Sequence, residues 1–128
     1  MPFNTARSVP PDKALIYIYR VSHTLGAANA YEIFANGKPI TRLGNGGYYD
    51  FVTAPGQIQF AWRVHDAVAP LMAMMVNSGG PHPACTLDAE AGHTYYYIFE
   101  QGPPRMLPTF EADAIKAMAD MHRYDDAQ

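Results

Sequence analysis

Five histidines (His23, His65, His82, His93 and His122), a lone cysteine, Cys85, and seven methionines are the side chains of this chain best suited to chemistry. Imidazole, thioether and thiol donors lie closest together between His65 and Cys85. There His65, Met72, Met74, His82 and Cys85 form the kind of soft donor set that suits Cu(I). Their spacing matches no established ligand signature, and a second reading competes with metal: methionine fills irregular apolar space, and an isolated cysteine behaves as a small buried hydrophobe. A hydrolytic site would need His65, Asp66, His82 and Cys85 to converge in space, yet none of them stands in a nucleophile motif such as G-x-S-x-G. Gly44-Asn45-Gly46-Gly47 is rich in glycine but lies between two expected strands rather than before a helix, so it reads as a turn and not a phosphate cradle. The expectation is a protein that is not an enzyme and carries no cofactor, with metal binding by the 65–85 donors as an alternative.

Nine tyrosines are the most conspicuous enrichment. On strands, Tyr48, Tyr49 and Tyr96 together with the single tryptophan, Trp62, could form a platform for a sugar or a partner protein, because each ring offers apolar area with a polar tip. The competing reading is that cross-strand aromatic ladders stabilise a thin sandwich, and it is favoured because such residues are common in strands.

These side chains must be positioned by extended segments. Ala14 to Arg20 is β-branched and aromatic with two apolar faces, which suits a strand covered on both sides. Ala30 to Ala35 leads into Asn36-Gly37, a pair that tolerates positive φ at both positions as a type I′ turn requires, so Lys38 to Leu43 should return antiparallel. Pro39 places that returning strand at an edge or displaces its pairing. Tyr48 to Thr53 is the next strand, and Ala54-Pro55-Gly56-Gln57 fits a type II turn. From Gln57 to Val64 the alternation turns Ile58, Phe60, Trp62 and Val64 to one face, with Trp62 in or beside the core. Leu71 to Val76 reads as a strand or a lid bounded by turn residues. A second hairpin is expected from Ala84 to Glu90 and His93 to Glu100, in which Tyr95, Tyr97 and Phe99 share a face opposite Tyr96 and Ile98. Arg105 to Phe110 adds a short extended piece. Glu111 to Arg123 is the one helix, acidic early and basic late, with a stripe of Ile115, Met118 and His122 beside Met121.

Composition agrees with this layout. A chain of 128 residues with 48% hydrophobic residues fits one domain, and 16% charged residues with 10 glycines and 11 prolines favour turns over long helices. The predicted organisation is a polar lead-in over 1–13, a sandwich domain over 14–123 that includes the helix 111–123, and a fraying tail over 124–128. A net charge of −3 with nine scattered Lys and Arg excludes an electrostatic footprint for nucleic acid. One cysteine excludes an intramolecular disulfide, and no apolar run approaches the roughly 18–20 residues of a membrane-spanning helix. Met1 to Asp12 has no apolar core of a signal peptide, so any signal or lipidated leader is expected upstream of it.

Taken together, PPDKALIYIYR, YEIFANGKPITRLGNGGYYDFVTAPGQIQF and EAGHTYYYIFE give a pattern that resembles the bacterial domain-of-unknown-function family 2846. The resemblance covers the chain from about Pro10 to the helix. It implies a small β-sandwich of the surface-associated kind, often exported or carried as a lipoprotein, and it supplies no catalytic residues. Two features depart from the family: the Met-rich stretch from His65 to Pro83, and an N-terminus without a lipobox cysteine. The overall expectation is a mainly β protein, a single antiparallel β-sandwich of seven or eight strands with one C-terminal α-helix. It would act as a non-enzymatic accessory domain in the periplasm or cell envelope, lipid-anchored in its precursor, binding a protein or surface glycan through exposed aromatics and residues 65–83. The alternative is a structural module that self-associates as a homodimer through the edge of 71–76.

Overall fold

The computed structural model describes residues 8–22, 30–65, 80–100 and 103–124. Its organising element is β1 (Ala14–Tyr19), in which all six residues are buried. Alternation along the strand splits them between two cores: Ala14, Ile16 and Ile18 face one, and Leu15, Tyr17 and Tyr19 the other. A strand apolar on both faces needs a layer on each side, as the sequence anticipates. One layer is a second sheet and the other is a helix.

Around β1 lie β4 (Gly47–Thr53), β7 (Thr94–Glu100), β8 (Arg105–Pro108) and β9 (His122–Arg123), in the order β8-β7-β1-β4-β9. The facing sheet contains β2 (Ala30–Ala35), β3 (Lys38–Leu43), β5 (Gly56–His65) and β6 (His82–Ala89), in the order β3-β2-β5-β6. The protein is therefore mainly β, two sheets with one helix, consistent with a sandwich. Nine strands are present among the described residues, and β1 runs parallel to β7 while β4 runs parallel to β9. The expectation of an antiparallel sandwich of seven or eight strands is corrected to a mixed five-stranded sheet packed on an antiparallel four-stranded one.

Much of this mixing comes from β6 and β7, which do not form the expected second hairpin. The tight turn between them is present, with His93 N–H donating to Glu90 C=O and Gly92 at φ 80°. Beyond it, however, Gly92 N–H donates to Lys13 C=O and Leu15 N–H to His93 C=O, so β7 is captured beside β1 in the other sheet while β6 pairs with β5. The faces of β7 are as expected: Tyr97 and Phe99 enter the core between the sheets with Tyr95 packed against it, and Tyr96 and Ile98 lie opposite.

The Asn-Gly hairpin holds as read, with Asn36 at φ 51° and Gly37 at φ 81° between β2 and β3. β3 is an edge strand, and its register with β2 shifts beside Pro39, leaving Ile40 without an opposite residue. Asn36 also acts beyond the turn. Its Oδ1 accepts the N–H of Gln59 at 2.8 Å, its Nδ2 donates to Gln57 C=O at 3.3 Å, and its own N–H donates to Gln59 C=O at 2.9 Å. One side chain thus ties the hairpin to β5. Asn36→Ala should cost about 2–3 kcal/mol, from left-handed strain plus two lost side-chain hydrogen bonds. Asn36→Gly, which keeps the backbone free, should cost about half of that; equal losses in urea unfolding would contradict the tether.

The segment Ala30 to Val64 is shared between the sheets, since β4 leaves its sequence neighbours for β1. The expected type II turn is a bend: Pro55 carries it, and Gly56, at φ 134°, already pairs with Ala89. At the β3–β4 crossing, Gly44 and Gly47 lie against the ring of Tyr124, where a Cβ would overlap the ring. Close approach of a ring therefore accounts for two of the glycines in Gly44-Asn45-Gly46-Gly47. Arg20, buried just beyond β1, ties the sheets together at this end: its Nη1 donates to Leu43 C=O at 3.1 Å, and its guanidinium lies 4.9 Å from the Tyr31 ring centre.

The helix α1 (Glu111–Met118) is shorter than the expected 111–123. It crosses the outer face of the five-stranded sheet, burying Ala114 and Met118 on Leu15, Tyr17, Tyr19, Tyr48 and Tyr96. Met121 N–H then donates to Met118 C=O, and His122–Arg123 pairs with Gly47 and Tyr48 as β9. The stripe facing the sheet is Ala114, Met118 and Met121, with the expected Ile115 half-buried against the same core. His122 is exposed, and the basic end expected to complement the helix dipole belongs to a strand. The strand or lid expected at Leu71 to Val76 lies outside the described residues. Among those described, no helix is long and apolar enough to cross a membrane.

Candidate functional site

The aromatic platform expected from Tyr48, Tyr49, Tyr96 and Trp62 is not on the surface. Their exposures are 7%, 5%, 7% and 8%. Trp62 and Tyr49 lie between the sheets, whereas Tyr48 and Tyr96 lie under α1. The platform reading is corrected and the favoured ladder reading holds, for a physical reason: the five-stranded sheet is covered on both faces, which makes Tyr48, Tyr49 and Tyr96 interior, and Trp62 of β5 faces that sheet across the core. They form ladders instead. Tyr17 stacks on Tyr96 with ring centres 5.4 Å apart, and Tyr31 meets Trp62 edge to face at 5.8 Å.

Of the donor set, the side chain of His65 and all of Met72 and Met74 lie outside the described residues. His82 and Cys85 are brought onto one face. Three residues apart, they would point to opposite faces of a regular strand, but β6 shifts register against β5 between Phe60 and Ala61. Cys85 therefore opposes Phe60 and His82 opposes Trp62, on whose ring it stacks at 4.4 Å. Burial pushes the Cys85 thiol up to about 11, away from the thiolate that binds metal. Among the described residues, no three His, Cys, Asp or Glu side chains are grouped to hold an ion. Native Cys85 should thus be alkylated by iodoacetamide at pH 8 about a hundredfold more slowly than in urea, as the smaller thiolate fraction requires. Equal rates would contradict a half-buried thiol shielded from water.

One concave site is built where β8 gives way to α1. Thr94, Tyr95, Tyr96 and Tyr97 of β7 and Pro108, Thr109, Phe110 and Glu111 enclose an open groove of about 340 Å³. Its floor arises because the β7–β8 ladder ends at Tyr97 and Pro108. Thr109 then anchors the departing chain, its N–H donating to Tyr96 C=O at 2.9 Å. Phe110, at the helix N-cap position, turns outward and is 81% exposed. The Tyr96 hydroxyl reaches Glu111 Oε1 at 3.2 Å from beneath.

Burial, and then the neighbouring Glu111 carboxylate, push the Tyr96 hydroxyl up to about 12. Burial raises Tyr48 and Tyr97 as well. The folded state disfavours the phenolates, so their contribution to stability is complete below the unfolded value of about 10 and is lost as pH rises toward 12. Urea midpoints should therefore be insensitive to these groups from pH 7 to 9 and fall above pH 10. Tyr96→Phe should fall less steeply, and an identical alkaline slope would refute this assignment.

Sequence reasoning missed Phe110, Glu111 and Thr94. Phe110 reads as the end of an extended segment, and no local pattern marks it as outward-facing; only the divergence of β8 from β7 opens the groove. No family model, no curated protein and no solved structure matches the chain.

Proposed function

We propose that this domain is a non-enzymatic accessory module of the cell envelope or an exported compartment, and that it holds another macromolecule at the groove beside Phe110. The observation that carries the reading is the exposure of Phe110. The other large apolar side chains on the described surface, Val21, Val52 and Leu107, are 37–39% exposed, against 81% for Phe110. A ring so exposed beside a concave, partly polar wall is a contact anchor, since such rings supply much of the energy of recognition sites. The envelope setting rests on the resemblance to domain-of-unknown-function family 2846. The self-associating alternative depends on residues 71–76, outside the described residues, and gains no support from the groove.

Arrays of glycans and of peptides, probed with the wild-type domain and with Phe110→Ser, test the proposal. Phe110 lies on the surface, so the variant should fold. Binding to either array that falls at least about tenfold in the variant supports the module. Blank arrays, or binding indifferent to Phe110, would overturn it.

A further inference from the structure

We infer that the groove takes an extended peptide, which adds as a strand to the open edge of β7 beyond the end of β8, with an apolar side chain against Phe110 and a basic one toward Glu111. This rests on the reading of the groove as a binding site and names the class of its ligand.

The direction of the backbone groups supports a peptide. Leu15 N–H donates to His93 C=O, so His93 turns its carbonyl toward β1. Tyr96 turns its carbonyl the other way, to Thr109. Peptide groups alternate along a strand, so Thr94 shares the direction of Tyr96, away from β1 and into the groove. Among the described residues no strand pairs with β7 on that side below Tyr97. The N–H and C=O of Thr94 are thus a donor and an acceptor set at the spacing a further strand requires, the pattern that β-augmentation uses.

The walls limit what such a strand can carry. Side chains turned toward α1 meet Phe110 and the exposed carboxylate of Glu111, with Asp113 also in the first helical turn. An apolar residue two positions from Lys or Arg complements that surface. A sugar could stack on Phe110, but it would leave the strand-spaced groups of Thr94 unused.

The test uses the full chain and fluorescently labelled, capped octapeptides of alternating Val and Thr with one Lys at each position in turn. Binding is followed by polarisation. A bound peptide is then N-methylated at each residue, which removes one N–H without altering the domain. We expect a loss of about tenfold at the one residue whose N–H meets Thr94 C=O and little change elsewhere, because Thr94 alone carries outward strand groups beyond the end of β8. Glu111→Gln should weaken the Lys peptides about threefold to tenfold, and less at high salt. Equal losses from N-methylation at several residues, or none at any, would overturn strand addition. If the peptides stay unbound while a glycan binds in a Phe110-dependent way, the peptide inference falls and the binding module stands. If neither binds, both fall.

Discussion

Tyr17→Ala is expected to lower the unfolding free energy by about 3–5 kcal/mol, the usual cost of deleting a large buried ring. Tyr17 is 2% exposed at the centre of the outer face of the five-stranded sheet. It stacks on Tyr96 at 5.4 Å, lies 6.3 Å from Tyr48, and forms part of the surface on which Ala114 and Met118 of α1 rest. Truncation removes the middle of that ladder and opens a cavity directly beneath the helix. For a domain of this length the melting temperature should drop by about 10–20 °C. Because Tyr96 lines the groove, the same substitution should also loosen the groove wall, visible as faster hydrogen exchange in α1 than in β2 and β5. A loss below about 1 kcal/mol would show that the helix does not depend on the tyrosine ladder.

Arg123→Met should cost about 2–3 kcal/mol. Arg123 comes from the two-residue strand β9, and its Nε donates to Asp50 Oδ1 while the guanidinium lies 5.1 Å from the Tyr49 ring centre. The Asp50 side chain is only 9% exposed, against 36% for Arg123. Removing the cation strips a nearly buried carboxylate of that counter-charge, a costly change for a buried pair that is moderated because Arg123 still reaches water. Asp50→Asn should rescue part of the loss. A double-mutant cycle measured by chemical unfolding should give a coupling of at least about 1 kcal/mol, and strictly additive costs would count against the pair. The comparable pair between Glu32 and Arg63, 2.5 Å apart on adjacent strands of the other sheet, secures the opposite face of the sandwich.

Local conformation was legible in the residues where the physics is local. Asn36-Gly37 dictated its hairpin because few other dipeptides accept left-handed backbone twice in succession. The double apolar faces of Ala14–Tyr19 required a layer on each side, and the alternation in β5 placed Phe60 and Trp62 inside. Errors arose where a choice between partners is decided at a distance. The turn at Ala91-Gly92 is the same whether β7 continues beside β6 or crosses to β1, and only the hydrogen bonds of Lys13 and Leu15 resolve it. The stretch from Ala119 to Arg123 carries helix formers, yet pairing with Gly47 and Tyr48 and the reach of Arg123 to Asp50 make its end a strand. Helix propensity amounts to a few tenths of a kcal/mol per residue and yields to such tertiary contacts.

The candidate site divides in the same way. By itself the sequence determined that this is a β-rich domain of many tight turns, acidic overall and heavily supplied with tyrosine, and it named the aromatic residues. The tertiary structure decided which of them are surface. A helix laid across one face of a sheet buries Tyr48 and Tyr96, a facing sheet buries Tyr49 and Trp62, and the departure of the chain after Pro108 leaves Phe110 outside. Exposure depends on what covers a face, which alternation within one strand does not encode.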